Sequence, residues 1–125
     1  MSRVINWFEI PVSDMVRAAT FYEAAFQIML RRESMDGTEL AVFPYQEPAT
    51  SGALIKCDEV KPAAQGCVIY LHTDNLAATL ERVAAAGGNC VFGPFELADD
   101  IGTIALFIDS EGNRVGLHQP KSLAH

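Results

Sequence analysis

Four side chains that can do chemistry lie on predicted strands or directly next to one: Glu9 near the start of the chain, Cys67 in the middle, and Arg114 and His118 near the end. His118 is the best candidate for acid–base catalysis because imidazole titrates near neutral pH, and its alternative role is a hydrogen bond to the backbone. Glu9 is a general base, which needs a substrate within hydrogen-bond reach, or the partner of Arg114 in a structural ion pair, or a residue that reaches solvent at a strand end. Cys67 is either a nucleophile with His118 as its neighbouring base or an inert buried thiol.

The strands that must position these residues are indicated by alternating apolar residues and by β-branched and aromatic content. Turn residues separate the strands, as in the segment 109–113, where Gly112 is free to take a positive φ. The predicted strands are 3–12, 28–32, 38–43, 52–56, 67–72, 89–92, 103–108 and 115–118.

Two helices are predicted between these strands. The first is capped by Ser13-Asp14 and runs to about Phe26, and the second is capped by Asp74 and stops at Gly87-Gly88. In both helices the apolar residues recur at helical spacing, which predicts one buried face on each. The residues of the two faces are Ala18, Phe21, Tyr22 and Ala25 in the first helix, and Leu76, Leu80, Val83 and Ala84 in the second.

The order strand, helix, strand, strand, strand occurs twice, which indicates an internal repeat. The repeat predicts an α+β fold of two βαβββ modules, each with one sheet face covered by its helix. Side by side, the two modules form a half-barrel cleft. We expect a single domain over 1–125, with module 1 at about 1–58, a linker at 58–65 and module 2 at about 66–120. The residues that align between the two halves are Asp14 with Asp74, Gly37-Thr38 with Gly102-Thr103, and 52–55 with 115–118.

Composition argues against several classes of function. The 125 residues are half apolar and carry a formal net charge of −7, which indicates a globular protein that binds neither nucleic acid nor an anionic membrane through its charge. No apolar run approaches a membrane span, and charges at Glu9 and Asp14 argue against a signal peptide. The three cysteines show no C-x-x-C spacing, which predicts free thiols in a reducing cytoplasm.

Three segments resemble a known family. Residues 9–14 (EIPVSD) and 17–22 (RAATFY) are similar to the "V-x-D … R-A-x-x-F-Y" pattern of the vicinal oxygen chelate superfamily, and 109–114 (DSEGNR) resembles its "D-P-x-G-N" pattern. That superfamily contains glyoxalase I, bleomycin-resistance proteins and extradiol dioxygenases, and it is built from paired βαβββ modules. The resemblance covers essentially the whole chain. It implies the fold and a homodimer with clefts lined by both chains, but no single function, because the fold hosts many chemistries.

The resemblance also implies where a metal would be held. The family places one ligand in the first strand of each module, seven residues before the helix-capping Asp, and one in each last strand. These positions fall on Trp7, Cys67, Ala53 and Gly116. Only Cys67 can donate to a metal, and a single thiolate does not hold a catalytic divalent ion, which needs about three protein ligands. We therefore expect no metal at the usual position and no other cofactor.

The strand period of two then predicts which side chains line the cleft. The cleft has apolar walls and few polar anchors, which is typical of a small-molecule pocket. Trp7 either stacks on a flat ligand or fills the core. The predicted ligand-binding residues are Trp7, Cys67, Ile69, Arg114 and Gly116, with His118 and Glu9 as catalytic candidates and Pro11 and Leu71 also facing the cleft, whereas Phe8, Ile10, Val12 and Tyr70 face the helices.

Two functions of different class follow from these residues. The first is metal-independent binding of a small planar or partly aromatic molecule, as the bleomycin-resistance branch of the family implies. The second is a metal-dependent lyase, isomerase or dioxygenase of glyoxalase type, with the metal held by a non-standard set of Glu9, Cys67 and His118. An accessory domain that shares only the fold is a third interpretation. The missing ligands favour the first.

Overall fold

The structure, a computed structural model, describes residues 5–45 and 50–121. Residues 3 and 4 of the first predicted strand lie outside this range. The described residues form two helices and eight strands in the predicted order. These elements are β1 (Trp7–Pro11), α1 (Met15–Phe26), β2 (Arg31–Met35), β3 (Thr38–Val42), β4 (Ser51–Lys56), β5 (Tyr70–His72), α2 (Leu76–Ala85), β6 (Asn89–Leu97), β7 (Gly102–Ile108) and β8 (Arg114–Gln119).

The strands form two four-stranded sheets of the same construction. Sheet 1 has the order β1-β4-β3-β2 and sheet 2 the order β5-β8-β7-β6. In each sheet the first strand of the module pairs parallel with the last, and the remaining pairs are antiparallel. The fold is therefore the predicted α+β arrangement of two βαβββ modules around a half-barrel cleft. We call the side of each sheet that faces away from the helices its open face.

The two helices cover the other side of both sheets and share one core with them. The predicted face of α1 is buried, and it packs with Leu54 of sheet 1 and with Phe107 and Leu117 of sheet 2. The ring centroids of Phe21 and Phe107 lie 6.0 Å apart, so aromatic contact joins the modules directly. Among the described residues, neither helix is long and apolar enough to cross a membrane.

The cap of α2 differs from the sequence prediction by one residue. Asn75, and not Asp74, is the N-cap, because its Oδ1 accepts a hydrogen bond from the Ala78 N–H at 3.1 Å. Asp14 caps α1 in the same way, accepting from the Arg17 N–H at 3.0 Å. The structural equivalent of Asp14 is therefore Asn75. At the other end, Gly87 follows α2 with a φ of 107°, as the predicted stop requires.

Register confirms the alignment of the last strands of the modules. Ile10 pairs with Leu54, and Leu71 pairs with Leu117. Ile10 and Leu71 each lie four residues before their helix cap, so the two pairs are equivalent. It follows that Ala53 and Gly116, one residue earlier, are equivalent positions, as the repeat predicts.

Four strands have bounds that differ from the predicted ones by about three residues or more, and the first of them, β1, begins at Trp7. β2 begins at Arg31 because the preceding residues end α1: Gln27 is left-handed, and the Leu30 N–H donates to Glu23 Oε2 at 3.0 Å. β5 is limited to Tyr70–His72. β6 extends to Leu97, because β7 pairs along its length across two shifts in register.

The turn between β7 and β8 holds module 2 against module 1. The buried carboxylate of Asp109 accepts hydrogen bonds from the Tyr22 hydroxyl at 2.7 Å and from the N–H groups of Glu111 and Asn113 at 2.8 and 2.9 Å. The Asn113 side chain donates to Asp109 at 3.1 Å and to the carbonyl of Pro11 at 2.7 Å. Burial, and then the charge of Asp109, raise the pKa of Tyr22 well above its usual value, so its hydroxyl remains a donor.

Glu111, in the same turn, closes the N-terminus of α1. Its side chain is inaccessible to solvent, accepts from the N–H groups of Ser13 and Asp14 at 2.8 and 2.9 Å, and pairs with Arg17 Nε at 2.7 Å. Burial disfavours the carboxylate, but the hydrogen bonds from Arg17 and from the two N–H groups outweigh it and lower the pKa of Glu111 to about 2. The turn that resembles the family pattern therefore connects the two modules.

Candidate functional site

Aromatic side chains are exposed on the open face of sheet 2. Tyr70 and Phe95 expose 46% and 51% of their surface, and the ring centroids of Phe92 and Phe95 lie 5.9 Å apart. Exposed rings on one sheet face offer a flat apolar surface for a planar molecule. The register places the side chains of this face in two rows, Phe92–Leu106–Gly116–Tyr70 and Phe95–Ile104–His118–His72.

Gly116 lies directly under the ring of Tyr70. A Cβ atom at this position would collide with the ring, so the close approach requires glycine. Gly116 is the family position at which a ligating carboxylate would stand in module 2. Here the Tyr70 ring fills that space, and the surface becomes aromatic.

The prediction that Tyr70 faces the helices and Leu71 the cleft is wrong. Tyr70 is exposed on the open face, and Leu71 packs against the shared core. The cause is the helix cap, since counting back from Asp74 and not from Asn75 shifts the first strand of module 2 by one residue and exchanges its two faces. Counted from Asn75, the residue seven positions earlier is Val68 and not Cys67.

The open face of sheet 1 has a small apolar floor beside a carboxylate. Leu40, Val42 and Ala53 form a buried cluster on this face, and Glu9 lies next to Ala53 across the β1–β4 ladder. Trp7, on the same face, is 41% exposed, and its ring contacts that of Tyr45 edge-on with the centroids 6.5 Å apart. Trp7 is therefore not a core residue, and its indole is accessible to a ligand.

A pocket of about 180 Å³ lies at the seam between β1 and the residues before β5. We call it the seam pocket. Four of the predicted site residues line it together: Glu9, Cys67, Ile69 and Arg114. Lys61 lines it as well, from the segment that sequence reasoning treated only as a linker. The structure thus brings residues from both ends and the middle of the chain to one place.

His118, Trp7 and Gly116 do not line the seam pocket. The Nε2 atom of His118 lies 2.7 Å from the carbonyl oxygen of Ile101, which accepts the bond. In the neutral ring this fixes the proton on Nε2 and leaves Nδ1 as an acceptor. Because His118 is held at the other end of β8 from Arg114, it is not placed to serve as a base for Cys67.

The predicted ion pair between Glu9 and Arg114 is not formed. In the part of the chain that the structure describes, the ion pairs are those of Arg17, Arg31, Arg32, His72 and Lys121 with their acidic neighbours. Glu9 and Arg114 line one pocket without pairing, which leaves both charges for another partner.

The residues at the family's metal positions do not fit a divalent ion. Trp7, Ala53 and Gly116 have no metal-donating side-chain atom, and the fourth position falls on Cys67 by sequence or Val68 by the helix cap. Within residues 5–45 and 50–121 there is no group of three His, Cys, Asp or Glu side chains that could hold a metal.

The alternative ligand set is likewise not assembled. Glu9 and Cys67 share the seam pocket, but His118 is bonded to Ile101 elsewhere on sheet 2.

Sequence reasoning missed the exposed aromatic residues Tyr70, Phe92 and Phe95. A signal for the last two is present in the sequence, because Ala105 and Phe107 alternate with Ile104 and Leu106 along β7. Ala105 and Phe107 are buried in the core. Ile104 and Leu106, together with the residues that pair with them on β6, therefore lie on the open face. The face on which Tyr70 lies could be predicted only with the correct helix cap, Asn75.

The sequence and structure were compared with known proteins. The family model described as the Glyoxalase/Bleomycin resistance protein/Dioxygenase superfamily matches residues 4–117. A glyoxylase-like domain-containing protein from Didymella fabae is 28% identical over 114 residues, which are 87% of this chain and 88% of the relative.

Several solved structures share the fold. A glyoxalase/bleomycin resistance protein from Streptomyces sp. CB03234 is 26% identical, with a TM-score of 0.70 over 91% of this chain and 98% of its own. TnmS3, an antibiotic binding protein from the same organism, is 24% identical, with a TM-score of 0.67 over 96% of this chain and 97% of its own. A mutant of glyoxalase I from Zea mays is 23% identical, with a TM-score of 0.69 over 90% of this chain but only 45% of its own, so this chain spans less than half of the maize protein. From the match over residues 4–117, the chain belongs to the Glyoxalase/Bleomycin resistance protein/Dioxygenase superfamily.

Proposed function

We propose that the protein binds a small planar organic molecule in the paired-module cleft without a metal. The observation that carries this proposal is the set of exposed aromatic side chains on the open faces, Trp7 on sheet 1 and Tyr70, Phe92 and Phe95 on sheet 2. Aromatic surface that is accessible to water on an open sheet face has an unfavourable free energy of hydration, and a flat ligand that stacks on it removes that cost.

Two further observations support the proposal. Gly116 and Ala53 stand where the family places ligating side chains, and they leave the centre of the cleft free of carboxylates. TnmS3, which has the same fold, is described as an antibiotic binding protein. A binding role fits these residues better than catalysis at a metal.

The test is binding of flat two-ring and three-ring aromatic compounds to protein freed of metal with a chelator. Because Trp7 is the only tryptophan, quenching of its fluorescence reports occupancy of the cleft. We expect Tyr70→Ala and Phe95→Ala each to weaken binding about tenfold, from the loss of roughly 1 to 2 kcal/mol of stacking and burial. Val16→Ala, at an apolar residue that is 68% exposed on α1, is the matched control and leaves affinity unchanged.

The same titration distinguishes metal-independent binding from the metal-dependent alternative. Adding zinc, nickel, manganese or iron to the chelator-treated protein should change neither the affinity nor the quenching. Binding that appears only after a metal is added, or turnover of a bound compound, would contradict the proposal and favour an enzyme.

We also propose that the protein is a homodimer. The family implies this state with clefts lined by both chains, so a symmetric partner encloses the open faces and leaves room for the ligand between the chains. The exposed apolar side chains of these faces support such an enclosed cleft. Light scattering during gel filtration should give twice the 13.6 kDa mass of one chain. A monomer mass at a protein concentration of about 100 μM would show that the dimer is not a stable state.

The cysteines support a reducing compartment such as the cytoplasm. Cys57, Cys67 and Cys90 are all free thiols, and Cys67 and Cys90 are exposed. Exposed free thiols persist where glutathione and thioredoxin keep them reduced.

A further inference from the structure

Three charged side chains around the seam pocket have no charged or hydrogen-bonding side-chain partner in the part of the chain that the structure describes. Glu9, Lys61 and Arg114 line this pocket of about 180 Å³, and none of them takes part in an ion pair or side-chain hydrogen bond among residues 5–45 and 50–121. Two cations face one carboxylate, so the pocket is locally positive in a chain with a formal net charge of −7. A locally positive pocket on an acidic protein favours an anion.

Hydrogen bonds hold the segments that carry the two cations. The Ala63 N–H donates to Asn113 Oδ1 at 3.0 Å, which ties the segment of Lys61 to the residue before Arg114. Asn113 Nδ2 donates in turn to the carbonyl of Pro11 at 2.7 Å, two residues from Glu9. One amide side chain therefore connects the backbones of all three charged residues, so the pocket is formed before a ligand arrives.

The size of the pocket limits what enters it. A cavity of about 150 Å³ holds one benzene-sized group, and the seam pocket, at about 180 Å³, is only slightly larger. It has room for a carboxylate and the polar substituent next to it, but not for a system of two or three rings. Glu9 also lies on the open face of sheet 1, beside Ala53, so the pocket adjoins the surface on which the ring system would stack.

We infer that the seam pocket receives the carboxylate of the ligand between Lys61 and Arg114, while Glu9 accepts a hydrogen bond from a hydroxyl or amino group next to that carboxylate. The ligand class is therefore an aromatic hydroxy- or amino-carboxylic acid. This inference rests on the proposed function, because it assigns one end of the same ligand. Charge-assisted hydrogen bonds of this kind are about twice as strong as neutral ones.

The test compares three probes of similar size: 2-hydroxybenzoate, 2-hydroxybenzamide and 2-methoxybenzoate. Ligand-observed NMR titration measures their affinities. We expect the hydroxy acid to bind about tenfold more tightly than its amide, because the amide carries no charge for the two cations. We also expect the methoxy acid to bind more weakly than the hydroxy acid, because it has no donor for Glu9.

Substitutions at Lys61, Arg114 and Glu9 show which residue is responsible for each preference. Lys61→Gln and Arg114→Gln should each reduce the acid-to-amide ratio about threefold, and the double variant should bring it close to one. Glu9→Gln should reduce the preference for hydroxyl over methoxy and leave the acid-to-amide ratio high. Lys56→Gln, at an exposed lysine at the end of β4, is the control and keeps both preferences. Thermal unfolding checks that each variant is folded. If Arg114→Gln does not fold, Lys61→Gln, at an exposed residue, tests the carboxylate site by itself.

The outcomes separate the two proposals. Equal affinity for acid and amide overturns the carboxylate site and leaves the planar-ligand cleft intact. A preference for the acid that survives in the double variant also overturns it, since the anion must then bind elsewhere. Absence of binding by all three probes at about 10 mM, together with failure of larger aromatic compounds to quench Trp7, overturns both proposals.

Discussion

Replacement of Asp109 by alanine is expected to lower the free energy of unfolding by about 3 to 5 kcal/mol, enough to threaten the fold. The carboxylate is buried and accepts from the Tyr22 hydroxyl, from two backbone N–H groups and from the Asn113 amide. Alanine would leave the Tyr22 hydroxyl and the two backbone N–H groups without this acceptor, and the Asn113 amide would keep only its bond to the carbonyl of Pro11. Thermal unfolding should show a midpoint lower by roughly 10 °C or more.

Two other substitutions bracket this effect. Tyr22→Phe removes only one of the four donors and should cost about 1 to 2 kcal/mol. Asp58→Ala, at an exposed aspartate before the seam pocket, should change stability by less than about 0.5 kcal/mol. An Asp109→Ala protein as stable as Asp58→Ala would show that the turn does not hold the modules together.

Glu111→Gln is expected to cost about 2 kcal/mol at neutral pH and much less in acid. The pKa of Glu111 is about 2 in the folded protein against 4.5 as the ordinary value, so its charge contributes stability that is fully present above about pH 4.5. That contribution is lost as the pH falls from about 4.5 toward 2. The shift alone corresponds to about 3 kcal/mol, and we expect less because Arg17, its partner, is half exposed and screened by water.

The measurement is urea unfolding of the native and Glu111→Gln proteins at pH 7 and at about pH 3. The stability gap between them should shrink by roughly half or more at the lower pH. The matched control is Glu33→Gln, which breaks an ion pair of similar length, 2.8 Å, between two exposed side chains. Its gap should be below about 0.5 kcal/mol at both pH values. A stability difference between the native and Glu111→Gln proteins that does not change with pH would contradict the role of the Glu111 charge in stabilising the fold.

Much of the fold follows from local signals in the sequence. Asp14 caps α1, Gly87 ends α2, and the spacing of Ala18, Phe21 and Tyr22 marks the buried face, because each depends on a few neighbouring residues. The internal repeat then determines how the strands are ordered. The α2 cap shows the limit of this reasoning: Asp74 and Asn75 are adjacent and both are good caps, and only the three-dimensional structure shows which one bonds to Ala78.

The candidate site was less predictable because its parts come from distant segments. The one-residue error at the α2 cap exchanged the faces of Tyr70 and Leu71, since strand side chains alternate. Lys61 lies in a polar stretch with nothing to bury, and its place at the seam pocket depends on the bond between Ala63 and Asn113, which are 50 residues apart. No local pattern reports such a contact.

The connection between the modules has a consequence for the order in which the chain acquires its structure during synthesis. Tyr22 and Asp109 are 87 residues apart, and Asn113 and Pro11 are 102 apart. When module 1 leaves the ribosome, Asp109 and Phe107 have not yet been made. The Tyr22 hydroxyl then has no acceptor, and Phe21 has no Phe107 to pack against. Contacts of such long separation form late and at high cost in chain entropy. We therefore expect the first half to remain incompletely ordered until the last strands are made, so that the two halves, although alike, reach their native state together.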